Sequence, residues 1–210
     1  MGERQGVPGA VSGSAVVSDR PAIVFLGTSL TAGRGLPSDQ AFPALIQDTL
    51  DLLGIDFRVV NRGENGLTSA GGLRRIDWLL RQPIPIGVLV LELGANDGLR
   101  GLDVAMLRSN LQAIIDKTKR EYPAARIVIL GMEAPPNLGR FYTAAFQRVF
   151  PEIARANDAA LVPFLLDSVA GIAELNQPDE IHPTARGHRI LARNVWRVLE
   201  GVVLAGSREQ

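Results

Sequence analysis

The stretch "AIVFLGTSLTAGRGL", residues 22–36, changes character at Gly27. Up to Gly27 it is a continuous apolar run, a pattern typical of a strand buried on both faces of a parallel sheet. Thr28 and Ser29 follow, and either can cap a helix that begins after the strand. A second interpretation is that the break holds Ser29 as a nucleophile at the edge of the sheet. The stretch alone leaves both interpretations open.

The same apolar pattern recurs along the chain and predicts the fold class. Runs rich in Ile, Val and Leu alternate with amphipathic segments, which favours a three-layer α/β/α fold with a five-stranded parallel sheet. Right-handed crossovers favour a flavodoxin-like strand order of 2-1-3-4-5. The predicted strands are 22–27, 57–61, 86–93, 125–131 and 160–164, and the predicted helices are 41–53, 73–80, 104–114 and 190–199.

Length and composition indicate one ordinary globular domain. A chain of 210 residues with 46% hydrophobic and 21% charged residues is enough for one large core. We expect a flexible leader over 1–20, which has no apolar centre and so does not resemble a signal peptide, and a domain over 21–205. No apolar stretch is long enough to predict a transmembrane segment. Formal net charge is zero, which gives no indication of a nucleic-acid partner.

Unusual polar residues and glycines follow the predicted strands. In a sheet of this order the carboxyl ends of the strands meet at one edge, where ligands bind. Four segments distant in sequence therefore converge there. They contain Ser29 after the first strand, Gly66 in "NRGENGLTS", Asn96 and Asp97 in "LGANDG", and Asp179 and His182 in "PDEIHPTARGH".

Together these residue types match the needs of ester hydrolysis. The reaction needs a serine, a base, a carboxylate that orients the base, and donors for the developing oxyanion. Asp179 and His182 are three residues apart, so one short loop can hold the carboxylate against the imidazole. The side-chain amide of Asn96 and the backbone N–H groups of Ser29 and Gly66 are candidate oxyanion donors.

Each residue also has a structural interpretation. Asn96 and Asp97, which precede Gly98, are equally typical of a loop, Asp179 of a turn, and Gly66 of a positive φ. The second histidine of the chain, His188, is expected inside the last helix, and we assign it no role. No metal site is predicted, because two histidines and no cysteine leave too few ligands.

The blocks "FLGTSLTAG", "ENGLTS", "GAND" and "DEIHP" resemble those of the GDSL, or SGNH, hydrolases, serine esterases and lipases with a flavodoxin-like fold. Their order and spacing fit from about residue 22 to 200. The resemblance implies that Ser29 is the nucleophile, His182 the base and Asp179 its carboxylate. It also implies that the oxyanion is bound by Ser29, Gly66 and Asn96.

Within the family, "LELGANDGLRG" and "EAPPNLGRFY" are most similar to the bacterial multifunctional thioesterase/lysophospholipase and arylesterase branch. This implies hydrolysis of small-molecule substrates without a cofactor: short- to medium-chain acyl esters, aryl esters, acyl thioesters or lysophospholipids. Family members are often periplasmic or secreted, whereas the lack of a visible signal peptide predicts the cytoplasm, so the compartment stays open. From their positions alone, the residues predicted to border the substrate are Leu67, Thr68, Leu99, and Pro135 and Phe141 at the ends of a predicted loop, 135–141. An equal alternative is that they are ordinary loop and core residues.

Thr28 departs from the family pattern, which has an aspartate before the serine. Threonine can keep a hydrogen bond there but brings no charge. Because Asp179 supplies the triad carboxylate, the change concerns local geometry. Two alternatives to a hydrolase remain: an acyltransferase with the same triad, and a flavodoxin-like phosphate-binding module that uses the turn 27–35. The oligomeric state is left open.

Overall fold

The computed structural model describes residues 20–206 and contains one parallel sheet. Its strands lie in the order β2-β1-β3-β4-β5, so the predicted fold class and strand order are confirmed. Most strand ends differ from the predicted ones by one or two residues. The strands are β1 Ala22–Gly27, β2 Arg58–Gly63, β3 Ile86–Glu92, β4 Arg126–Leu130 and β5 Ala160–Val162.

Helices form a layer on each face of the sheet. Helix α5 packs against α3 and α6, and α2 packs against α7. Within residues 20–206, no helix is both long and apolar enough to span a bilayer. Except for Arg20, the predicted leader lies outside the described residues. The helices are α1 Ser29–Ala32, α2 Phe42–Leu52, α3 Ser69–Leu80, α4 Ala95–Leu99, α5 Val104–Glu121, α6 Arg140–Ala156 and α7 Ala185–Gly206.

Helix α6 was not predicted from the sequence, and Pro151 explains the omission. Proline inside a helix removes a backbone hydrogen bond and normally indicates a break. Here Phe146, Val149, Phe150 and Ile153 form a buried stripe at helical spacing. Burial of that stripe against the sheet outweighs the cost of the proline.

The carboxyl ends of the strands carry the candidate site. Gly27 ends β1, and its carbonyl accepts a hydrogen bond from the backbone N–H of Glu64, just after β2, at 2.9 Å. In the parallel register Gly27 is aligned with Gly63 of β2 and with Glu92 of β3. The segments that follow the three strands therefore start side by side.

Candidate active site

Two hydrogen bonds join Ser29, His182 and Asp179. His182 Nε2 lies 2.9 Å from Ser29 Oγ, and His182 Nδ1 lies 2.6 Å from Asp179 Oδ2. The structure thus brings together the three residues predicted as a triad, although the serine and the histidine are 153 positions apart in sequence. A hydroxyl, an imidazole and a carboxylate in this order can transfer the hydroxyl proton to the ring.

The loop before α7 orients the imidazole. Asp179 Oδ1 accepts the backbone N–H groups of Ile181 and His182, at 3.1 and 3.0 Å, while its Oδ2 faces the ring. These hydrogen bonds, first that from the backbone of His182 and then that from its ring, hold the pKa of the Asp179 carboxyl well below its usual range. The ionised carboxylate accepts a hydrogen bond from the Nδ1–H group of His182, so Nε2 is free to accept one from Ser29.

Ser29 is the first residue of the short helix α1, and Thr28 caps that helix. Thr28 Oγ1 accepts the backbone N–H of Leu30 at 3.4 Å. The helix-cap interpretation of the opening stretch is therefore confirmed for Thr28. Ser29 contacts the imidazole of His182, and its role as nucleophile remains a prediction. The residue Ser29 is only 8% exposed.

The three candidate oxyanion donors lie at the same edge of the sheet. Asn96, in α4, donates from Nδ2 to the carbonyl of Leu67 at 3.0 Å, which leaves its second amide hydrogen. Gly66 has a φ of +75°, and Arg100 Nη2 donates to its carbonyl at 3.1 Å. No described group accepts the backbone N–H of Ser29 or of Gly66. Such amides can stabilise an oxyanion, and these roles remain predictions.

A buried cluster links the helices beside these donors, and the sequence did not reveal it. Asp97 accepts the hydroxyl of Ser69 at 2.5 Å and its backbone N–H at 2.9 Å. Asn110 Nδ2 donates to the same hydroxyl at 2.9 Å. The cluster ties α3 to α4, and so connects the segments that carry Gly66 and Asn96. Asp97, for which the sequence left a site role and a loop role open, is buried in α4.

Glu92 is a second buried residue that sequence reasoning missed. Its carboxylate accepts hydrogen bonds from Thr28 and Thr31, on either side of Ser29. Burial raises the pKa of Glu92 to about 7, against the lowering effect of those hydrogen bonds. The available signal was a single charged residue in the otherwise apolar run "IGVLVLEL", because a buried charge needs partners.

Two predicted substrate residues have structural contacts at the site. Leu67 is buried, and its carbonyl binds the amide of Asn96. Thr68 caps α3, since its Oγ1 accepts the backbone N–H of Gly71 at 3.2 Å. Contact of either residue with substrate remains a prediction.

The other three are more exposed than Leu67. Leu99 ends α4 and is half-exposed, and Pro135 is half-buried. The segment 135–141, predicted as a loop, is helical at its end: α6 begins at Arg140 and includes Phe141. That prediction was wrong because Gly139, with a φ of +84°, ends the loop two residues earlier. Phe141 is 80% exposed and lies against the Arg140 guanidinium.

His188 has a structural role. Its Nδ1 accepts the backbone N–H of Phe42 at 3.1 Å, and its ring stacks on the Phe42 ring. Burial, with a smaller effect from His182, lowers the pKa of His188 to about 4, so it is neutral at physiological pH. In the part of the chain that the structure describes, no group of three or more His, Asp or Glu side chains is arranged to hold a metal ion.

Known proteins resemble this chain in sequence and in structure. It is 42% identical to "Esterase TesA" of Pseudomonas aeruginosa over 178 residues, 85% of this chain and 87% of that protein. It is 34% identical to "Thioesterase 1/protease 1/lysophospholipase L1" of Escherichia coli K12 over 181 residues, 86% of this chain and 84% of that protein.

A solved structure has the same fold. The psychrotrophic esterase EstA from Pseudoalteromonas sp., inhibited by monoethylphosphonate, superposes with a TM-score of 0.80 at 32% identity. The match covers 86% of this chain and 97% of that one. The sequence profile of the GDSL-like Lipase/Acylhydrolase family also matches residues 25–190, which include every residue of the candidate triad. The chain belongs to the GDSL-like lipase/acylhydrolase family.

Proposed function

We propose that this carboxylic ester hydrolase forms an acyl-enzyme on Ser29 and acts on short- to medium-chain acyl esters and acyl thioesters. The observation that carries the proposal is the hydrogen-bonded path from Ser29 Oγ through the His182 ring to the Asp179 carboxylate. A phosphate-binding module would not need this path. Membership of a hydrolase family also argues against that alternative.

The geometry supports a two-step reaction. Ser29 Oγ attacks the acyl carbon while His182 Nε2 takes its proton, and Asp179 stabilises the imidazolium. The N–H groups of Ser29 and Gly66 and the Asn96 amide stabilise the oxyanion. His182 then protonates the leaving alcohol or thiol, which departs as the acyl-enzyme forms. Water, deprotonated by His182, attacks the acyl carbon and releases the carboxylic acid and the serine.

The substrate class follows from the chemistry of the site and from the relatives. Esters and thioesters differ only in the leaving atom, and both pass through the same tetrahedral oxyanion. Relatives whose names include esterase, thioesterase and lysophospholipase support this range. Leu99 and Pro135 offer apolar surface near the edge that carries Ser29, where an acyl chain can lie.

A substrate panel tests the proposal. We expect hydrolysis of nitrophenyl esters from acetate to laurate and of the matching acyl-CoA thioesters, and no hydrolysis by a folded Ser29→Ala variant. Ser109→Ala, at an exposed serine of α5, is the matched control and should keep full activity. Free acid as the main product in the presence of added glycerol supports a hydrolase. A glyceryl ester as the main product contradicts the proposal and favours the acyltransferase alternative.

A further inference from the structure

The carboxyl group of Glu92 lies wholly inside the protein, next to the turn that carries Ser29. Glu92 is the last residue of β3 and is aligned with Gly27, the last residue of β1. None of its surface is exposed. Burying a carboxyl group is unfavourable unless hydrogen bonds compensate for lost hydration, so its partners indicate why it is there.

Every hydrogen bond that the described residues make to the carboxyl group of Glu92 comes from the turn that carries Ser29, residues 28–31. Oε2 accepts the backbone N–H groups of Thr28 and Thr31 at 2.7 and 3.3 Å. It also lies 2.8 and 2.9 Å from the hydroxyls of the same threonines. Thr28 precedes Ser29 and Thr31 follows it by two residues. The carboxyl group therefore binds the turn on both sides of the proposed nucleophile.

The lack of a side chain at Gly27 makes this contact possible. A Cβ there would collide with Thr31 Oγ1 and would lie 2.8 Å from Glu92 Oε2. Real Cβ atoms essentially never approach other atoms so closely. The end of β1 is thus shaped to let the carboxyl group reach the turn, an observation independent of the hydrogen bonds.

The two carboxyl oxygens of Glu92 differ in their partners. Oε1 contacts only the Thr28 hydroxyl, at 3.0 Å, whereas Oε2 accepts the other bonds. A protonated Glu92 can therefore donate from Oε1 to Thr28 while Oε2 still accepts from the backbone. Glutamine can reproduce this arrangement, with its amide N–H₂ in the place of Oε1.

We propose that Glu92 is a positioning residue for Ser29, holding the turn so that the hydroxyl faces His182 and the Ser29 N–H faces the oxyanion. The inference rests on the proposed role of Ser29 as nucleophile. Glu92 acts through the turn and does not touch the substrate. Its loss should therefore lower kcat and leave KM nearly unchanged, because the affected contacts matter most in the transition state.

Substitutions at Glu92 and Thr31 test the proposal in the full chain. Glu92→Met keeps the length but removes both acceptors, and Glu92→Gln keeps an acceptor and a donor. Thr31→Val removes one hydroxyl donor at a fully buried site. Thr118→Val is its matched control, because Thr118 is equally buried in α5 and bonds only within its helix. For each variant, kcat, KM and the rate of Ser29 phosphonylation by an organophosphonate are measured.

We expect Glu92→Met to lower kcat and the phosphonylation rate by about 10²-fold, as for a catalytic group misplaced by about 1 Å. Thr31→Val should lower kcat and the phosphonylation rate by about tenfold, because it removes one hydrogen bond to the carboxyl group. Glu92→Gln and Thr118→Val should stay within a few-fold of the wild type. If Glu92→Met does not fold, the Thr31→Val and Thr118→Val pair decides.

Two results overturn the inference. One is a folded Thr31→Val or Glu92→Met variant with wild-type kcat and phosphonylation rate. The other is a folded Glu92→Gln variant as slow as Glu92→Met, which would assign the effect to charge and not to hydrogen bonding. A wild-type protein that hydrolyses no ester and is not labelled at Ser29 would instead refute the proposed function itself.

Discussion

Replacing Glu92 by glutamine should change how stability depends on pH. The pKa of the Glu92 carboxyl rises from 4.5 to about 7 on folding. Between these values the folded protein keeps a proton that the unfolded chain has lost, so Glu92 makes stability fall as pH rises. His188 acts in the opposite direction, because its pKa falls from 6.5 to about 4 and the unfolded chain holds the extra proton.

The two effects are similar in size. Each pKa moves by about 2.5, and one pKa unit corresponds to about 1.4 kcal/mol, so each group changes the free energy of unfolding by about 3 kcal/mol across its range. In the wild type the two effects nearly cancel between pH 4.5 and pH 6.5, where both groups contribute. Glu92→Gln removes the decrease in stability with rising pH that Glu92 causes, and it leaves the increase that His188 causes. The free energy of unfolding of the variant, relative to that of the wild type, should therefore rise by about 3 kcal/mol from pH 4.5 to pH 8.

Urea unfolding, followed by the fluorescence of Trp78 and Trp196, measures this difference at each pH. The contributions of other groups cancel in the comparison of variant with wild type. Glu174→Gln, at an exposed position, is the control and should follow the wild type at every pH. A Glu92→Gln curve parallel to that of the wild type within about 1 kcal/mol would refute the reasoning, since it would mean that Glu92 ionises alike in both states.

Three further predictions concern the neighbouring residues. Asn96→Ala should lower kcat by about 10²–10³-fold in a folded protein, as for loss of one oxyanion donor, and near-full kcat would remove Asn96 from that role. Thr28→Asp brings a second carboxyl group to Glu92. Its kcat/KM should stay within about tenfold of wild type at pH 6, where the two carboxyl groups share a proton, and should fall further at pH 9, where they repel each other. The same ratio of variant to wild-type kcat/KM at both pH values would contradict this prediction. Ser69→Ala removes a hydrogen-bond partner of Asp97 and Asn110 and should lower the free energy of unfolding by about 1–3 kcal/mol in urea titrations. An unfolding midpoint equal to that of the wild type would show that the cluster does not stabilise the fold.

The strands and their order could be predicted because they depend on patterns written locally in the chain. A continuous apolar run such as 86–93 indicates a buried parallel strand, and the handedness of crossovers then limits the order. Helix α6 could not be predicted in the same way. Its apolar stripe contains Pro151, and only burial of the neighbouring phenylalanines shows that the helix continues.

The same distinction holds for the site. The pairing of Asp179 with His182 depends on a spacing of three residues within one loop and is visible in the sequence. Proximity of Ser29 to His182 followed from the topology and the family resemblance. The contact of Glu92 with Thr28 spans 64 positions, and nothing local in either segment specifies the partner. A buried carboxyl group needs hydrogen-bond donors, but only the fold shows which residues supply them.

Covalent labelling of the intact chain tests the central claim, that Ser29 is an activated nucleophile. An organophosphonate should add once per chain, at Ser29 by peptide mass spectrometry, with matching loss of esterase activity, because the adduct resembles the tetrahedral intermediate. His182→Ala should slow labelling strongly, since the proton acceptor is lost. His188→Asn, which can still accept the N–H of Phe42, should label at the wild-type rate. Labelling at another serine, or no labelling of a folded protein, would contradict the account.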